Sequence, residues 1–346
     1  MSFKKMTAKI HLLSLLYRLF RHFSIIIYGL YQTTRGRTLD LEDVILFGDR
    51  QLKWVDRMLG SWIFDFPVDR RGSVDLFGLH FSSPLVISSF KDDLDILNIW
   101  LKMGLGGVTL KTIMLQARLG NQRPRICETK VNGQKGLINA MGLPGVGVKM
   151  LIKRLNAGHA LLDSTCPLGI SIGGESVQEY VDHYDDLRKS LKILKKRPCY
   201  FELNISCPNT DEGQDLVKNQ DALKTLLVMI RERGEDVISV KLSPDQSDDT
   251  LLSYAQMIAS FKRVFINIGN TQYRDSSALV KGGGGLSGPP LFERTVQMVN
   301  LLFPVGVPLM ATGGVSNRAD ADLLLEKGAV LVGVATGLVF DPYALI

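Results

Sequence analysis

Tyr200-Phe201-Glu202-Leu203-Asn204-Ile205-Ser206 is a short apolar run that ends in polar residues, and Cys207-Pro208-Asn209-Thr210 follows it. A run of this kind, followed by a segment of helical period, reads as a parallel strand with its crossover helix. The same unit recurs at 84–89, 107–111 and 168–172 before it, and at 237–242, 264–268, 308–311 and 330–334 after it. Together these make eight strands, the number that closes a barrel. The fold class expected is therefore α/β, a single (β/α)8 TIM barrel with an N-terminal helical extension. Residues 74–346 form the barrel in this reading, and residues 1–73 form the basic, apolar extension.

Active sites of such barrels gather at the C-terminal ends of the strands. The sequence places Ser88 and Ser89, Lys111 and Thr112, Ser171, Asn204, Lys241, Asn267 with Asn270 and Thr271, Gly313 and Gly314, and Thr336 and Gly337 at those tips. Two lysines and several amides converging on one mouth describe a site for a planar, anionic, hydrogen-bonding ligand. Ala311-Thr312-Gly313-Gly314-Val315 and Val334-Ala335-Thr336-Gly337 follow strands seven and eight, where barrels often hold a phosphate. Glycine lets backbone N–H groups approach the phosphate, and a following helix start adds its dipole. Tight βα turns would call for the same glycines. The run Gly282 to Gly285 with Leu286-Ser287-Gly288 reads as a further glycine-rich loop after strand six.

Hydrophobic residues make up 45% of the 346 and charged residues 22%, which is ordinary globular composition. The formal charge of +6 is unevenly spread. Residues 1–37 carry seven basic side chains and no acidic one, which leaves 34 basic against 35 acidic residues in the rest. A nearly neutral body argues against nucleic acid as a partner. The four cysteines show no metal-ligand spacing, so no metal site is expected, and their sparseness suits a reducing, cytoplasmic compartment.

Residues 10–31 are rich in Leu, Ile, Phe and Tyr, but Arg18, Arg21 and His22 interrupt them, which disfavours a membrane-spanning helix. Two readings stand level for residues 1–37: a helix lying on an anionic membrane surface, and a helix packed on the barrel or on a partner subunit. The aromatic-rich residues 40–71 read as short helices leading into the barrel.

The segment Phe201-Glu202-Leu203-Asn204-Ile205-Ser206-Cys207-Pro208-Asn209-Thr210 resembles the signature of the dihydroorotate dehydrogenase family. Lys241-Leu242-Ser243-Pro244, Asn270-Thr271, Gly284-Gly285-Leu286-Ser287-Gly288 and Thr312-Gly313-Gly314-Val315-Ser316 follow in that family's order. Asn139-Ala140-Met141-Gly142-Leu143-Pro144 precedes them, and the likeness covers roughly residues 74–340. It implies an FMN-dependent oxidoreductase of CH–CH groups that makes orotate from dihydroorotate in de novo pyrimidine biosynthesis. The reaction removes a proton from C5 and sends a hydride from C6 to flavin N5.

By that resemblance Cys207 is the catalytic base, as in the soluble, cysteine-using branch, where the membrane-bound, quinone-using branch usually has serine. Asn139, Asn204, Asn209 and Asn270, with Thr271, match positions that hold the orotate ring and carboxylate, and Met141, Gly142 and Leu143 belong to the same substrate set. Lys111 matches a lysine contacting both flavin and substrate and is placed with the catalytic residues. Lys241 matches the lysine near flavin N1 and O2, whose charge stabilises the anionic reduced flavin. Ser88, Ser89, Thr112, Ser171, Asn204, Asn267, Gly285, Gly313, Gly314, Thr336 and Gly337 complete the expected FMN set.

Two features depart from the family pattern. Phe90 stands where a glycine is expected beside the flavin ring, and the chain ends soon after strand eight, leaving a surface for the N-terminal arm to cover. The arm resembles the membrane-facing helices of the quinone-using branch, so fumarate, quinone and NAD through a partner subunit all stay open as acceptors. No iron–sulfur cysteine cluster exists here, so the NAD route would need another protein. Location is expected to be cytoplasmic, with peripheral attachment to the cytoplasmic face of a membrane and a homodimer both left open. Two other functions compete. A dehydrogenase of another dihydropyrimidine has a similar loop but usually His where Asn209 stands, and a non-catalytic flavin-binding or interaction protein would fit Phe90 and the short C-terminus. A tRNA dihydrouridine synthase would show a basic body.

Overall fold

The computed structural model describes residues 3–36, 39–67, 72–205 and 219–346. The chain opens with helices α1 (Phe3–Thr34) and α2 (Leu41–Ile63). Asp40 starts α2 by accepting the backbone N–H of Glu42. Of the stretch 40–71 expected to hold short helices, Leu41–Ile63 is a helical span of 23 residues in which two helical pieces meet at a kink at Leu59, and residues 68–71 lie outside the described residues. Leu41 and Val44 are buried at its start, whereas Trp54, Met58 and Trp62 stay exposed further along.

A hairpin of β1 (Val74–Leu76) and β2 (Leu79–Phe81) comes next, then β3 (Leu85–Ile87), α3 (Leu94–Lys102) and β4 (Gly107–Ile113). β5 (Ile126–Val131), β6 (Gln134–Asn139) and α4 (Val148–Asn156) lead to β7 (Leu168–Ile172), α5 (Val177–Ser190) and β8 (Cys199–Asn204). α6 (Gln220–Arg233), β9 (Val237–Leu242), α7 (Asp248–Ala259) and β10 (Val264–Ile268) follow. The chain finishes with β11 (Gln272–Asp275), β12 (Gly283–Ser287), α8 (Phe292–Leu302), β13 (Leu309–Thr312), α9 (Arg318–Glu326), β14 (Leu331–Val334) and α10 (Thr336–Phe340). Strands β3, β4, β7, β8, β9, β10, β13 and β14 pair in that order into a closed parallel barrel, as the eight runs predict.

The two-residue period of a strand sorts its side chains between barrel interior and helix layer. On β8, Phe201 and Leu203 join the core under the helices, while Tyr200 packs inside with Val86, Val237, Phe265, Met310 and Leu331. The β1–β2 hairpin plugs this end through Leu76, Leu79 and Phe81. Gly169 makes room for the ring, because a Cβ there would stand 2.4 Å from Tyr200. Tyr200 then donates or accepts at 2.7 Å with Thr109, the first polar contact above the apolar floor.

The glycine run read as a loop after strand six is corrected. Gly283–Ser287 is strand β12, at the centre of a four-stranded sheet ordered β11-β12-β6-β5. Gly285 serves close packing there, since a Cβ would lie 2.0 Å from Thr271 Oγ1.

α1 lies along the barrel. Leu13 is buried in the main core, Ser14 bonds Asp341, Tyr17 donates to the Val339 carbonyl at 3.2 Å, and Arg21 pairs with Glu128 of β5. The arm therefore covers the C-terminal segment, where Tyr343 and Leu345 are buried. Its other face leaves Leu12, Leu16, Leu19, Phe23, Ile27 and Leu30 exposed. Residues Met6–Thr34 are apolar and long enough to cross a membrane, with mean hydropathy 1.3, yet the polar anchors hold them against the barrel.

Candidate active site

The strand tips open into a cavity of about 750 Å³ that continues between the barrel and the two N-terminal helices. Ser88, Ser89, Lys111, Thr112, Asn204, Lys241, Gly313, Gly314 and Thr336 line its barrel end. Asn139, Met141, Leu143, Asn270 and Thr271 line the same space. Tyr17, Phe20, Arg21, Ile25, Val44 and Leu52 close it from the side of α1 and α2.

Five described residues of the expected set, Gly142 among them, stand back from the cavity wall. Ser171 and Asn267 are fully buried beneath it, Gly285 lies within β12, and Gly337 begins the turn of α10 behind Thr336. Gly142 sits at φ 70° in the substrate loop, where a Cβ would collide with Asn121 at 2.7 Å, so its part is to shape the loop. Cys207 and Asn209 lie outside the described residues.

Hydrogen bonds fix the polar groups. Asn204 Nδ2 donates to Thr112 Oγ1 at 2.8 Å, and Thr112 contacts Ser171 Oγ at 2.9 Å. Lys241 Nζ donates to Ser89 Oγ at 3.2 Å, and Ser89 donates to Glu202 Oε1 at 2.6 Å. Lys111 Nζ donates to the Pro144 carbonyl at 2.7 Å, which ties β4 to the substrate loop. Burial holds the Lys111 ammonium below the usual lysine range, with Asp92 acting against that shift.

The residues suit an anionic, phosphate-bearing cofactor. Gly313 and Gly314 carry φ values of 135° and 79°, which turn the chain at the end of β13 in a way only glycine tolerates easily. Ser88 Oγ is buried with no protein partner, and so offers an unused hydrogen-bonding group at the end of β3. The start of α9 carries a capping box, in which Asn317 accepts the Asp320 backbone N–H and Asp320 accepts that of Asn317. Phe90 stacks on Trp100 of α3, with ring centroids 5.5 Å apart and planes at 23°.

Several cavity groups carry no assignment from sequence. Glu42 at the start of α2 accepts hydrogen bonds from Nε and Nη2 of Arg125, each at 2.8 Å. Burial alone would raise that carboxyl, but the Arg125 hydrogen bonds and charge hold it below the ordinary carboxylate value. Asp49 pairs with Lys91, and burial pushes its carboxyl upward against that charge. Glu202 stands inside the quoted strand as one acid in an apolar run, a signal that sequence reasoning passed over.

The family model for dihydroorotate dehydrogenase matches residues 72–346. A protein from Chloroflexus aurantiacus named dihydroorotate dehydrogenase (quinone) is 29% identical over 292 residues, covering 79% of each chain. One of the same name from Mycobacteroides abscessus is 30% identical over 285 residues, covering 79% of this chain and 78% of its own. The crystal structure of a DHODH from Eimeria tenella in complex with ferulenol superposes with a TM-score of 0.71 at 22% identity, over 86% of this chain and 87% of that one, a likeness of fold.

Proposed function

The chain belongs to the dihydroorotate dehydrogenase family, and from that premise we propose that it oxidises dihydroorotate to orotate with bound FMN and delivers the electrons to a membrane quinone. The observation that carries this reading is the single cavity that joins the barrel mouth to the apolar space under α1 and α2. A reductive site and an apolar exit share one enclosure, which is what a flavin needs in order to meet a polar substrate on one side and a lipid-soluble acceptor on the other. The names of the quinone-type relatives support the acceptor; Cys207, which resembles the soluble branch, does not decide it.

When bound, FMN supplies a hydride acceptor at N5. Lys241 and Ser89 would hold its ring end, and Gly313, Gly314 and Thr336 its phosphate. Asn139, Asn204, Asn270 and Thr271 offer donors and acceptors to the pyrimidine edge. Lys111 supplies a cation for the substrate carboxylate. Cys207 takes the C5 proton, and Asn209 belongs to the substrate-holding set. The exposed apolar face of α1 rests on an anionic membrane surface, which makes the protein peripheral rather than spanning. Residues 1–73 act as the membrane and acceptor module, and residues 74–346 as the catalytic barrel.

An anaerobic absorbance spectrum with and without dihydroorotate tests the reading. A bound flavin that bleaches on adding dihydroorotate and recovers on adding a lipid-soluble quinone supports it. A flavin that does not bleach sinks the substrate, and a colourless protein sinks the cofactor.

A further inference from the structure

The barrel interior holds one acid to which the reaction above gives no task. Glu202 on β8 is fully buried, one strand period above the Tyr200 layer and one below Asn204. Taking a carboxylate out of water is costly unless hydrogen bonds and charge offset it, and barrel interiors are usually filled with branched apolar residues. Both carboxylate oxygens are engaged as acceptors, Oε1 by Ser89 Oγ at 2.6 Å and Oε2 by Asn267 Nδ2 at 2.7 Å. Ser89 has a single proton and gives it to the acid, so it faces Lys241 Nζ, 3.2 Å away, as an acceptor. Asn267, with its nitrogen turned to the acid, presents Oδ1 to Thr312 Oγ1 at 2.7 Å. One acid thus orients groups at the ends of β3, β9, β10 and β13. Ser89, Lys241 and Thr312 line the cavity, whereas Glu202 and Asn267 stay beneath it.

We infer that Glu202 is a positioning residue and counter-charge for the cofactor end of the cavity. It aims Lys241 through Ser89 and offsets part of the ammonium's charge, so that a bound flavin is harder to reduce than Lys241 alone would make it. Charges that share a low-dielectric interior act on one another far more strongly than in water. This inference rests on the flavin reading proposed above.

The test is the reduction potential of the protein-bound flavin in the holoenzyme, with flavin content and melting temperature measured alongside. Glu202→Gln removes the charge while keeping the shape. It should shift the equilibrium roughly tenfold toward reduced flavin, about 30 mV for a two-electron couple. Glu202→Asp keeps the charge and should stay near the wild type. An unchanged or lowered potential in folded, flavin-loaded Glu202→Gln overturns the inference, as does an equal shift in Glu202→Asp, which would assign the effect to packing. Glu202→Met replaces the Gln variant if that one does not fold. If neither neutral variant folds, the acid is a folding requirement and the inference fails. A wild-type protein without flavin sinks the flavin reading itself, an outcome distinct from any of these.

Discussion

Ser14 on α1 donates a 2.5 Å hydrogen bond to Asp341, 327 residues further along the chain. Both groups are buried, and Arg18, 3.4 Å from the same carboxylate, adds charge from the exposed side. The two ends of the protein are stitched at this point, and Tyr17 repeats the stitch one turn position later through the Val339 carbonyl. Ser14→Ala leaves a buried acid short of a donor, which should cost about 1–3 kcal/mol. Urea unfolding measures that loss, and proteolysis within α1 should rise with it. Unaltered stability and protease resistance would show that the remaining contacts of Leu13, Tyr17 and Arg21 suffice to hold the helix.

Cys207→Ala tests the base. The variant should keep its flavin and reduce it with dihydroorotate about 10²–10⁴-fold more slowly, the usual contribution of a general base. Stopped-flow absorbance reads that step alone. Equal rates in variant and wild type would remove Cys207 from the mechanism.

Lys111 should impose a pH limit on substrate binding. Burial lowers its folded pKa, so the ammonium that attracts the substrate carboxylate is present below that lowered value and lost as pH rises through it. KM for dihydroorotate should therefore climb at a pH below the ordinary lysine range. Lys111→Arg should remove the climb, because a guanidinium stays charged. A KM that is flat with pH in the wild type would exclude the role.

The α2 anchor should weaken in acid. Glu42 is held below its unfolded value by Arg125, so the pair contributes stability that is present above the unfolded carboxylate pKa and lost as pH falls through the folded one. Protease cleavage between α2 and the barrel should increase over that acid window, and Glu42→Gln should cleave readily at every pH. Identical acid profiles for the two proteins would rule out this pair as the acid-sensitive contact.

Variants on the exposed face of α1 should separate the two proposed half-reactions. Leu16→Glu with Ile27→Glu places charges on the outward stripe while sparing Leu13, Ser14 and Tyr17. Sedimentation with anionic vesicles and flavin reoxidation by vesicle-embedded quinone should both be lost, and reduction by dihydroorotate should be unchanged. Persistent vesicle binding would contradict the membrane reading.

The sequence by itself determined the barrel and most of its mouth. Eight apolar runs with polar tips are local, period-two signals, and each tip residue inherits its place from the strand that carries it. That is why Lys111, Asn204, Lys241, Asn270 and Gly313 were legible from position alone. Only the tertiary structure decided what depends on contacts between distant segments. The sheet that makes Gly283–Ser287 a strand joins residues 126–139 to 272–287. The packing of α1 on Asp341, and the shared cavity under α1 and α2, join the first residues to the last. Glu202 shows the same division within one residue. Its place in an apolar strand is written in the chain, but its link to Lys241 through Ser89 needs three strands closed around it, and no local period encodes that distance.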